Sequence, residues 1–306
     1  MSTNVESQSS ALPNDEKLYE KSKSLWQDAF ERLLKDKMAT ASLVMVVLYA
    51  ILATLSGFEI LGGDWAVEIG GSYEAPSFKS INHLFGTDIF GRSVLQKCIH
   101  GIYIAMTVGF FAAMISIPIG LTLGAIAGYF GGRVDEFIVW LYTTFSSIPW
   151  IMLVTAIAFV GGGGLKSVCL SLGLTSWVGL CRLIRAEVIR HKEREYVQAA
   201  NAVGASHFRM LFLHIIPNVL HVVIITFSLQ FQTAIKAEVI LSYLGLGVSG
   251  EPSWGIMINE AKLELSRGVY WQLAGATLFM FLIVLSFNLL GDALRDALDP
   301  KLKGKD

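Results

Sequence analysis

Long stretches without charge alternate with polar segments along this chain. Four stretches lack Asp, Glu, Lys and Arg and match or exceed the roughly 20 apolar residues that a bilayer-crossing helix needs. They are 38–58, 101–132, 137–165 and 268–291. Each is long enough to cross a membrane once and too short to cross it twice with a turn. The pattern therefore predicts one membrane-spanning helix in each stretch.

Two further apolar stretches border charged residues. The stretch 167–181 is followed at once by Arg182, which is typical of a helix that emerges into water. The stretch 219–235 meets Lys236 and Glu238 and then becomes apolar again. With both included, the sequence predicts an all-α integral membrane protein with six transmembrane helices. A proline in the middle of the third predicted helix, at position 149, predicts a kink there.

The composition agrees with a membrane protein and excludes other classes. Hydrophobic residues make up 53% of the chain and charged residues 16%, whereas soluble domains carry about 25% charged residues. The net charge of −1 provides no basic field for nucleic acid. The cysteines lack the spacing of a metal site, so we expect them to be small buried side chains. They are Cys98, Cys169 and Cys181.

Lys and Arg residues are divided unequally between the two sides of the predicted membrane. With the tail 1–37 inside, seventeen lie on the cytoplasmic side and six outside, and Lys236 alone lies within a span. The positive-inside rule therefore predicts that both termini are cytoplasmic. The predicted organisation is a cytoplasmic tail 1–37, a first transmembrane helix 38–58, an external segment 59–100 and a transmembrane domain 101–306.

The longest cytoplasmic loop between predicted spans, 190–217, begins with the pattern of a short helix. Small or apolar residues recur there at i, i+3, i+4 and i+7, which places them on one helical face. They are Tyr196, Ala199, Ala200 and Val203. Gly204 is predicted to end this helix, because glycine readily adopts a left-handed backbone.

A second short helix is predicted after this glycine, with Phe208, Leu211 and Phe212 as its apolar stripe and Pro217 at its end. The face of small residues on the first helix suits close contact with another protein. An amphipathic helix lying on the lipid surface is the alternative interpretation.

The residues of this loop, EYVQAANAVGASHFRMLFLHIIPN, resemble the EAA coupling-loop signature of ABC importer permeases. The matching positions are Gln198, Ala199, Ala200, Gly204, Ile216 and Pro217. Gln198 stands where the signature has an acidic residue, and Glu195 supplies negative charge one turn earlier. The resemblance places the contact with an ATPase subunit on Glu195, Gln198, Ala199, Ala200, Gly204, Ala205 and Pro217.

The resemblance covers nearly the whole chain. HLFGTDIFGRSVL at 83–95, LSYLGLG at 241–247, PSWG at 252–255 and NLLGDALRDALDP at 288–300 are similar to motifs of peptide-family permeases. SLWQDAFERLLKDKMATASL at 24–43 resembles the C-type permease subunit of oligopeptide importers more than its dipeptide or nickel relatives. Dipeptides, nickel or another small solute are the alternative substrates.

This resemblance implies a MetI-like transmembrane subunit of a type I importer in the bacterial inner membrane. The expected partners are a homologous B-type permease, two cytoplasmic ATPase subunits and an extracytoplasmic solute-binding protein. The chain itself is expected to be non-catalytic and without cofactor, with ATP and Mg bound by the ATPases. GGGGLKS at 161–167 is not a phosphate-binding loop, because Leu165 stands where that motif needs glycine before lysine.

Two charged residues inside the fifth predicted span, Lys236 and Glu238, are candidates for the translocation path, because a charge within the membrane is costly. They are two positions apart and so do not face each other. Glu238 matches an acidic position of the family's ExxLSFLGLG pattern. Pairing with a partner subunit, or snorkelling to the membrane surface, is the structural alternative.

The sequence offers candidates for three other functions: a metal or catalytic site, an ion-coupled carrier and a membrane-embedded protease. His83, Asp88 and Arg92 could form a metal or catalytic group, but shaping the external segment is the simpler reading. An ion-coupled carrier would show charged residues on several spans, and here only one span has them. A membrane-embedded protease would need a Ser/His pair, paired aspartates or HExxH in the spans. The sequence contains no HExxH, and the uncharged stretches contain no aspartate. His207 and His214 lie in the loop 190–217, where they would face an ATPase and not a substrate in the membrane.

Overall fold

The computed structural model describes residues 31–248 and 250–298, and these are mostly helical, except for the segment 58–93. The predicted tail up to residue 30 and the last eight residues lie outside these ranges. Two isolated β-bridges in the external segment are the only strand-like pairings within the described ranges. The helices are α1 Lys37–Gly57, α2 Val94–Phe130, α3 Gly132–Ser147, α4 Trp150–Val160, α5 Gly164–Thr175, α6 Trp177–Lys192, α7 Glu195–Ala202, α8 His207–Tyr243, α9 Trp254–Leu265 and α10 Trp271–Leu298.

Five helical stretches are long and apolar enough to span a membrane, and a sixth span results if α3 and α4 are counted together. The single helices are α1, α2, α8 and α10, and α5 with α6 forms the fifth stretch. The prediction of an all-α protein with six spans is confirmed when α3 and α4 are counted as one span. Several helices extend beyond the uncharged stretches. In particular, α2 begins at Val94, inside the segment 59–100 that was predicted to be external.

The third span is not the continuous helix that was predicted over 137–165. It begins earlier, at Gly132, and α3 meets α4 at an angle of 87°. The break falls at Ile148 and Pro149. Ile148 has extended backbone angles, which is the conformation that a following proline favours. The predicted kink is confirmed and is sharp enough to divide the span.

The fifth span corrects the prediction for Pro217. This proline does not close a short helix, because α8 continues from His207 through it to Tyr243. The turn before it, Met210–Ile215, is π-helical, and the amide of Ile216 donates to the carbonyl of Leu211, five residues back. A proline cannot donate to the carbonyl four residues earlier and crowds it, so the wider turn keeps the helix continuous.

The most extensive helix contact of the fold is between α2 and α6. Gly120, Gly124 and Gly128 lie four residues apart on one face of α2. A Cβ atom at any of them would come within 2.8 Å of a backbone carbonyl oxygen of α6. Glycines at this spacing let two helices pack backbone against backbone, as in many membrane proteins. This stripe therefore holds the second half of the fourth span against the centre of the subunit.

The helix α9, predicted to be external, closes one end of the core. Trp254 at its start is fully buried, and its indole donates to the carbonyl oxygen of Cys98 in α2 at 3.1 Å. Trp271 at the start of α10 likewise donates to the carbonyl oxygen of Thr87 at 2.8 Å. The cysteines Cys98, Cys169 and Cys181 are all free and buried, as predicted.

Candidate functional site

The loop 190–217 has the predicted first helix and hinge, whereas its predicted second helix is the beginning of α8. The first helix, α7, is anchored by Val197, which is 3% exposed and packs against Met210 and Leu211. The helix ends at Gly204, whose φ of +79° is left-handed. No atom lies within 4 Å of the position of a Cβ atom there, so the backbone conformation, and not lack of space, requires glycine.

The face of α7 predicted from its small residues does not pack against the subunit. Tyr196 and Val203 are 39% and 85% exposed, Ala199 is exposed, and only Ala200 is half-buried. The inward residue is Val197, which lies outside the predicted set. The small-residue face is therefore free to contact another protein.

The apolar stripe of the second helix is divided in the same way. Leu211 is buried beneath α7, whereas Phe208 and Phe212 are 73% and 46% exposed. The two exposed rings stack one turn apart, with their centroids separated by 4.4 Å. Exposed aromatic side chains on the same loop as an exposed small-residue face are typical of a protein interface.

The loop is fastened to the adjacent end of α2 by polar contacts. The hydroxyl of Tyr129 and Nδ1 of His207 are 2.8 Å apart, and Lys192 Nζ donates to the carbonyl oxygen of Tyr129 at 2.7 Å. A cavity of about 250 Å³ between these residues and α7 is bordered by Gln198 and Asn201. Gln198 donates to the carbonyl oxygen of Glu193 at 3.2 Å and remains exposed. The loop is thus fixed to the spans while its outer face stays open.

The two interior charges are separated, as their spacing predicts. Glu238 is fully buried, and its Oε1 accepts a hydrogen bond from the Ser242 hydroxyl at 2.6 Å. Its other oxygen has no hydrogen-bond partner among the described residues. Lys236 is exposed on the opposite side of α8. Glu238 is thus enclosed within this subunit, so it neither snorkels to the membrane surface nor pairs across a subunit interface.

A buried charge cluster lies at the outer end of the spans. Lys97 is 2% exposed and donates to Asp88 at 3.1 Å, to Glu260 at 2.8 Å and to Gln272 at 2.9 Å. Arg92 donates from Nε to the same Asp88 carboxylate at 2.8 Å. The cluster therefore joins the external segment to α2, α9 and α10. The apolar pattern did not single out Lys97, although a lysine so close to the first uncharged residue of a span was a usable signal.

Asp88 and Arg92 shape a turn, as the simpler reading expected. One oxygen of Asp88 accepts from the amides of Phe90 and Arg92, both at 2.9 Å. Burial alone would raise the pKa of Asp88, but Lys97 and Arg92 hold it below its usual range. His83 is not part of this group and pairs with Ser80 at 2.8 Å. Within the described ranges, no group of His, Cys, Asp and Glu could hold a metal ion.

Glu264 of α9 borders this cluster. It is 3% exposed, and one of its oxygens has no hydrogen-bond partner in the described part of the chain. Burial raises the pKa of Glu264 to about 7. Lys97 opposes this effect, whereas Glu260 and Asp88 add to it. A carboxyl group with this pKa changes charge near neutral pH.

The apolar helices define a multi-pass membrane protein. The sequence matches the family model described as "Binding-protein-dependent transport system inner membrane component" over residues 120–304. A second model, "N-terminal TM domain of oligopeptide transport permease C", matches residues 24–61. The chain belongs to this family and is a multi-pass inner-membrane permease subunit of an ABC importer.

Curated relatives match almost the entire chain. The dipeptide transport permease DppC of Bacillus subtilis is 36% identical, over 92% of this chain and 87% of its own length. The oligopeptide transport permease OppC of the same organism is 35% identical, over 94% and 93%. The glutathione transport permease GsiD of Pectobacterium atrosepticum is 32% identical, over 91% and 92%. The predicted resemblance to peptide-family permeases is confirmed.

A solved structure supports the predicted fold. A chain from inward-facing conformations of the MetNI methionine ABC transporter has a TM-score of 0.52 and 17% sequence identity. The match covers 66% of this chain and 96% of that chain. The fold is therefore MetI-like.

Proposed function

We propose that this chain is the C-type permease of an importer that carries oligopeptides into the cell. The observation that supports this substrate best is the match of residues 24–61 to the N-terminal domain of oligopeptide permeases, together with full-length relatives named for peptide transport. The proposed partners are a homologous B-type permease, two cytoplasmic ATPase subunits and an extracytoplasmic solute-binding protein. The chain is proposed to be non-catalytic, because ATP and Mg would be bound by the ATPases.

We propose that the ATPases exert force on the loop 190–217. Its outer face combines the exposed Ala199 with the aromatic pair Phe208 and Phe212, while Val197 fixes the loop to the spans. A force applied to this face would be transmitted to the membrane, because the second half of the loop is the beginning of α8, which continues into the fifth span. The contact residues carried over from the family signature are Glu195, Gln198, Ala199, Ala200, Gly204, Ala205 and Pro217.

The experiment is reconstitution of the chain with its four partners in proteoliposomes that enclose ATP on the ATPase side. Uptake of radiolabelled dipeptides, tetrapeptides and Ni²⁺ would be compared at equal amounts of the matching binding protein. ATP-dependent tetrapeptide uptake is expected. If only Ni²⁺ or only dipeptides were taken up, these and not oligopeptides would be the substrate. Uptake without ATPase subunits would instead indicate an ion-coupled carrier.

A further inference from the structure

A pocket of about 250 Å³ lies between the loop 190–217 and the end of α2. We call it the loop pocket. The buried apolar side chains of Val197 and Met210 form its floor. The other lining residues are Tyr129, Phe130, Lys192, Gln198, Asn201 and His207. An apolar floor beneath mostly polar groups suits a side chain that has an apolar stem and a polar end.

The ammonium group of Lys192 gives the loop pocket a positive charge that no carboxylate balances. Within the described ranges, Lys192 forms no ion pair, and its one hydrogen bond is to the carbonyl oxygen of Tyr129 at 2.7 Å. That carbonyl lies at the end of α2, and a helix end offsets at most about half of a unit charge. An ammonium group has three donors, so two remain for another acceptor.

Other polar groups of the loop pocket also offer donors. When the hydroxyl of Tyr129 donates to Nδ1 of His207, 2.8 Å away, Nε2 of that ring carries a proton. The side-chain amide of Asn201 makes no hydrogen bond with the rest of the described chain. Among the described residues, no acidic side chain lines the pocket. The pocket therefore presents a positive charge and several donors to a single acceptor.

The residue at position 198 determines whether this charge is opposed. Gln198 stands where the family signature has an acidic residue, and its side chain borders the loop pocket. A carboxylate at this position would lie in the same pocket as Lys192 and would offset its charge. Glutamine is neutral, so in this chain the ammonium charge is left for a group that comes from outside the subunit.

The loop pocket adjoins the surface on which the ATPase contact is proposed. Gln198 belongs to both, and the exposed Ala199 follows it in α7. On the other side of the hinge, His207 borders the pocket and precedes Phe208, one of the two exposed aromatic residues. A partner that covers Ala199 and Phe208 therefore also reaches the mouth of the pocket.

We propose that the loop pocket binds an acidic side chain, aspartate or glutamate, of the ATPase subunit. The inference rests on the proposed function and adds the chemistry of the ATPase residue. The carboxylate accepts hydrogen bonds from Lys192 and Asn201, and its apolar stem packs on Val197 and Met210. Such a charge-assisted contact is stronger in a half-enclosed pocket than on an open surface, because water screens it less. It therefore contributes to the choice of ATPase as well as to its affinity.

The charge at position 198 tests the sign of the partner. Gln198→Glu places a carboxylate at the mouth of the pocket, where it repels an acidic ATPase residue and competes for Lys192. After a wash at low ionic strength, where charges are least screened, we expect the purified complex to retain about tenfold less ATPase. Gln198→Met loses the same hydrogen bond to Glu193 without adding charge and should be much milder. Equal or stronger retention of ATPase in Gln198→Glu would overturn the inference.

Reversing the charge of Lys192 should have the same effect. Lys192→Glu should lower both the retained ATPase and peptide uptake, at normal amounts of permease in the membrane. Arg190→Glu is the control, because it makes the same charge change on a side chain that is 65% exposed and outside the pocket. An equal loss in both variants would indicate a general charge effect and would overturn the inference. Loss of bound anionic phospholipid, and not of ATPase, from Lys192→Glu would identify a lipid headgroup as the occupant and overturn it as well.

A carbodiimide cross-link identifies the partner directly, because this reagent joins an amine to a carboxylate only where the two are in contact. Mass spectrometry of the treated complex should find Lys192 bonded to an aspartate or glutamate of the ATPase. Lys192→Arg keeps the charge but has no amine, so this cross-link should disappear while more ATPase is retained than in Lys192→Glu.

A cross-link of Lys192 only to Glu193 or Glu195 of its own chain would overturn the inference. Full ATPase retention in Gln198→Glu and Lys192→Glu, with loss in Gly204→Asp, would also overturn it and leave the proposed function intact. An unmodified complex that binds no ATPase would instead reject the proposed function.

Discussion

The Lys97 ammonium group lies 2.8 Å from the carboxylate of Glu260, although 163 positions separate them in the chain. The contact joins the start of α2 to the external helix α9. Because Asp88 and Gln272 bind the same ammonium group, four separate parts of the chain meet at one buried charge. This end of the permease is thus held together by ion pairs and hydrogen bonds to one buried ammonium group.

Removing that charge should destabilise the outer end. Lys97→Met keeps the length of the side chain but leaves the buried Asp88 with only Arg92 as its cation. We expect a loss of about 3 kcal/mol in the free energy of unfolding, as for other broken buried pairs. The measurement is the thermal denaturation of the purified complex in detergent. Lys79→Met is the control, because Lys79 is 73% exposed and 3.9 Å from Glu74. A Lys97 variant as stable as this control would contradict the prediction.

Glu264 should make stability depend on pH. Its pKa rises from 4.5 to about 7 on burial, so between these values the folded state binds more protons than the unfolded state. The contribution of Glu264 to the free energy of unfolding is therefore fully present below pH 4.5 and should be lost as the pH rises through 7. Glu264→Gln should flatten the melting temperature between pH 5 and pH 8. The exposed Glu68→Gln should retain the slope, and an equal slope in all three proteins would exclude Glu264 as its source.

The hinge of the coupling loop can be tested by shape and charge separately. Gly204 has a left-handed backbone and an open surrounding, and Asn and Asp tolerate that conformation better than most residues. Gly204→Asn and Gly204→Asp have nearly the same shape and differ in charge. We expect Gly204→Asp to lower peptide uptake by about tenfold or more, equivalent to about 1.4 kcal/mol of coupling, with weaker co-purification of the ATPases. Gly204→Asn should be milder, and full uptake with full docking in Gly204→Asp would place the ATPase contact elsewhere.

The predicted topology can be tested by labelling from one side of the membrane. Ser72, Glu251 and His207 are all exposed, and the native cysteines are buried. Cysteines at positions 72 and 251 should react with an impermeant reagent added from outside, whereas one at position 207 should react only after permeabilisation. The reverse pattern would contradict the positive-inside assignment of both termini.

Glu238 is expected to support the structure of α8 and not to line the path. Glu238→Gln retains the size of the side chain and a hydrogen-bond acceptor for Ser242, so assembly and transport should stay near normal. Glu238→Ala removes both and should lower the amount of assembled complex, since it leaves a cavity in the core. Normal assembly with lost peptide uptake in Glu238→Gln would instead place this carboxylate on the translocation path.

Much of the architecture was predictable because it depends on local properties of the chain. The hydrophobic length of each span is a property of consecutive residues, and so is the positive-inside distribution that predicts its orientation. The break of α7 at Gly204 was predictable for the same reason, because a glycine after a short helical repeat is itself the signal. The family was predictable from motifs such as those around Gly204 and 252–255.

Features that depend on contacts between residues far apart in the sequence were decided only by the tertiary structure. Both Tyr196 and Val197 could face inward on α7, and only the position of Met210 and Leu211 beneath the helix selects Val197. Pro217 was predicted to end a helix, but a π-helical turn keeps the chain continuous, because the preceding residues can widen to accommodate it. The burial of Lys97 likewise depends on Asp88, Glu260 and Gln272 meeting in space. A sequence shows that a lysine is costly to bury, but only the assembled helices supply the oxygens that neutralise it.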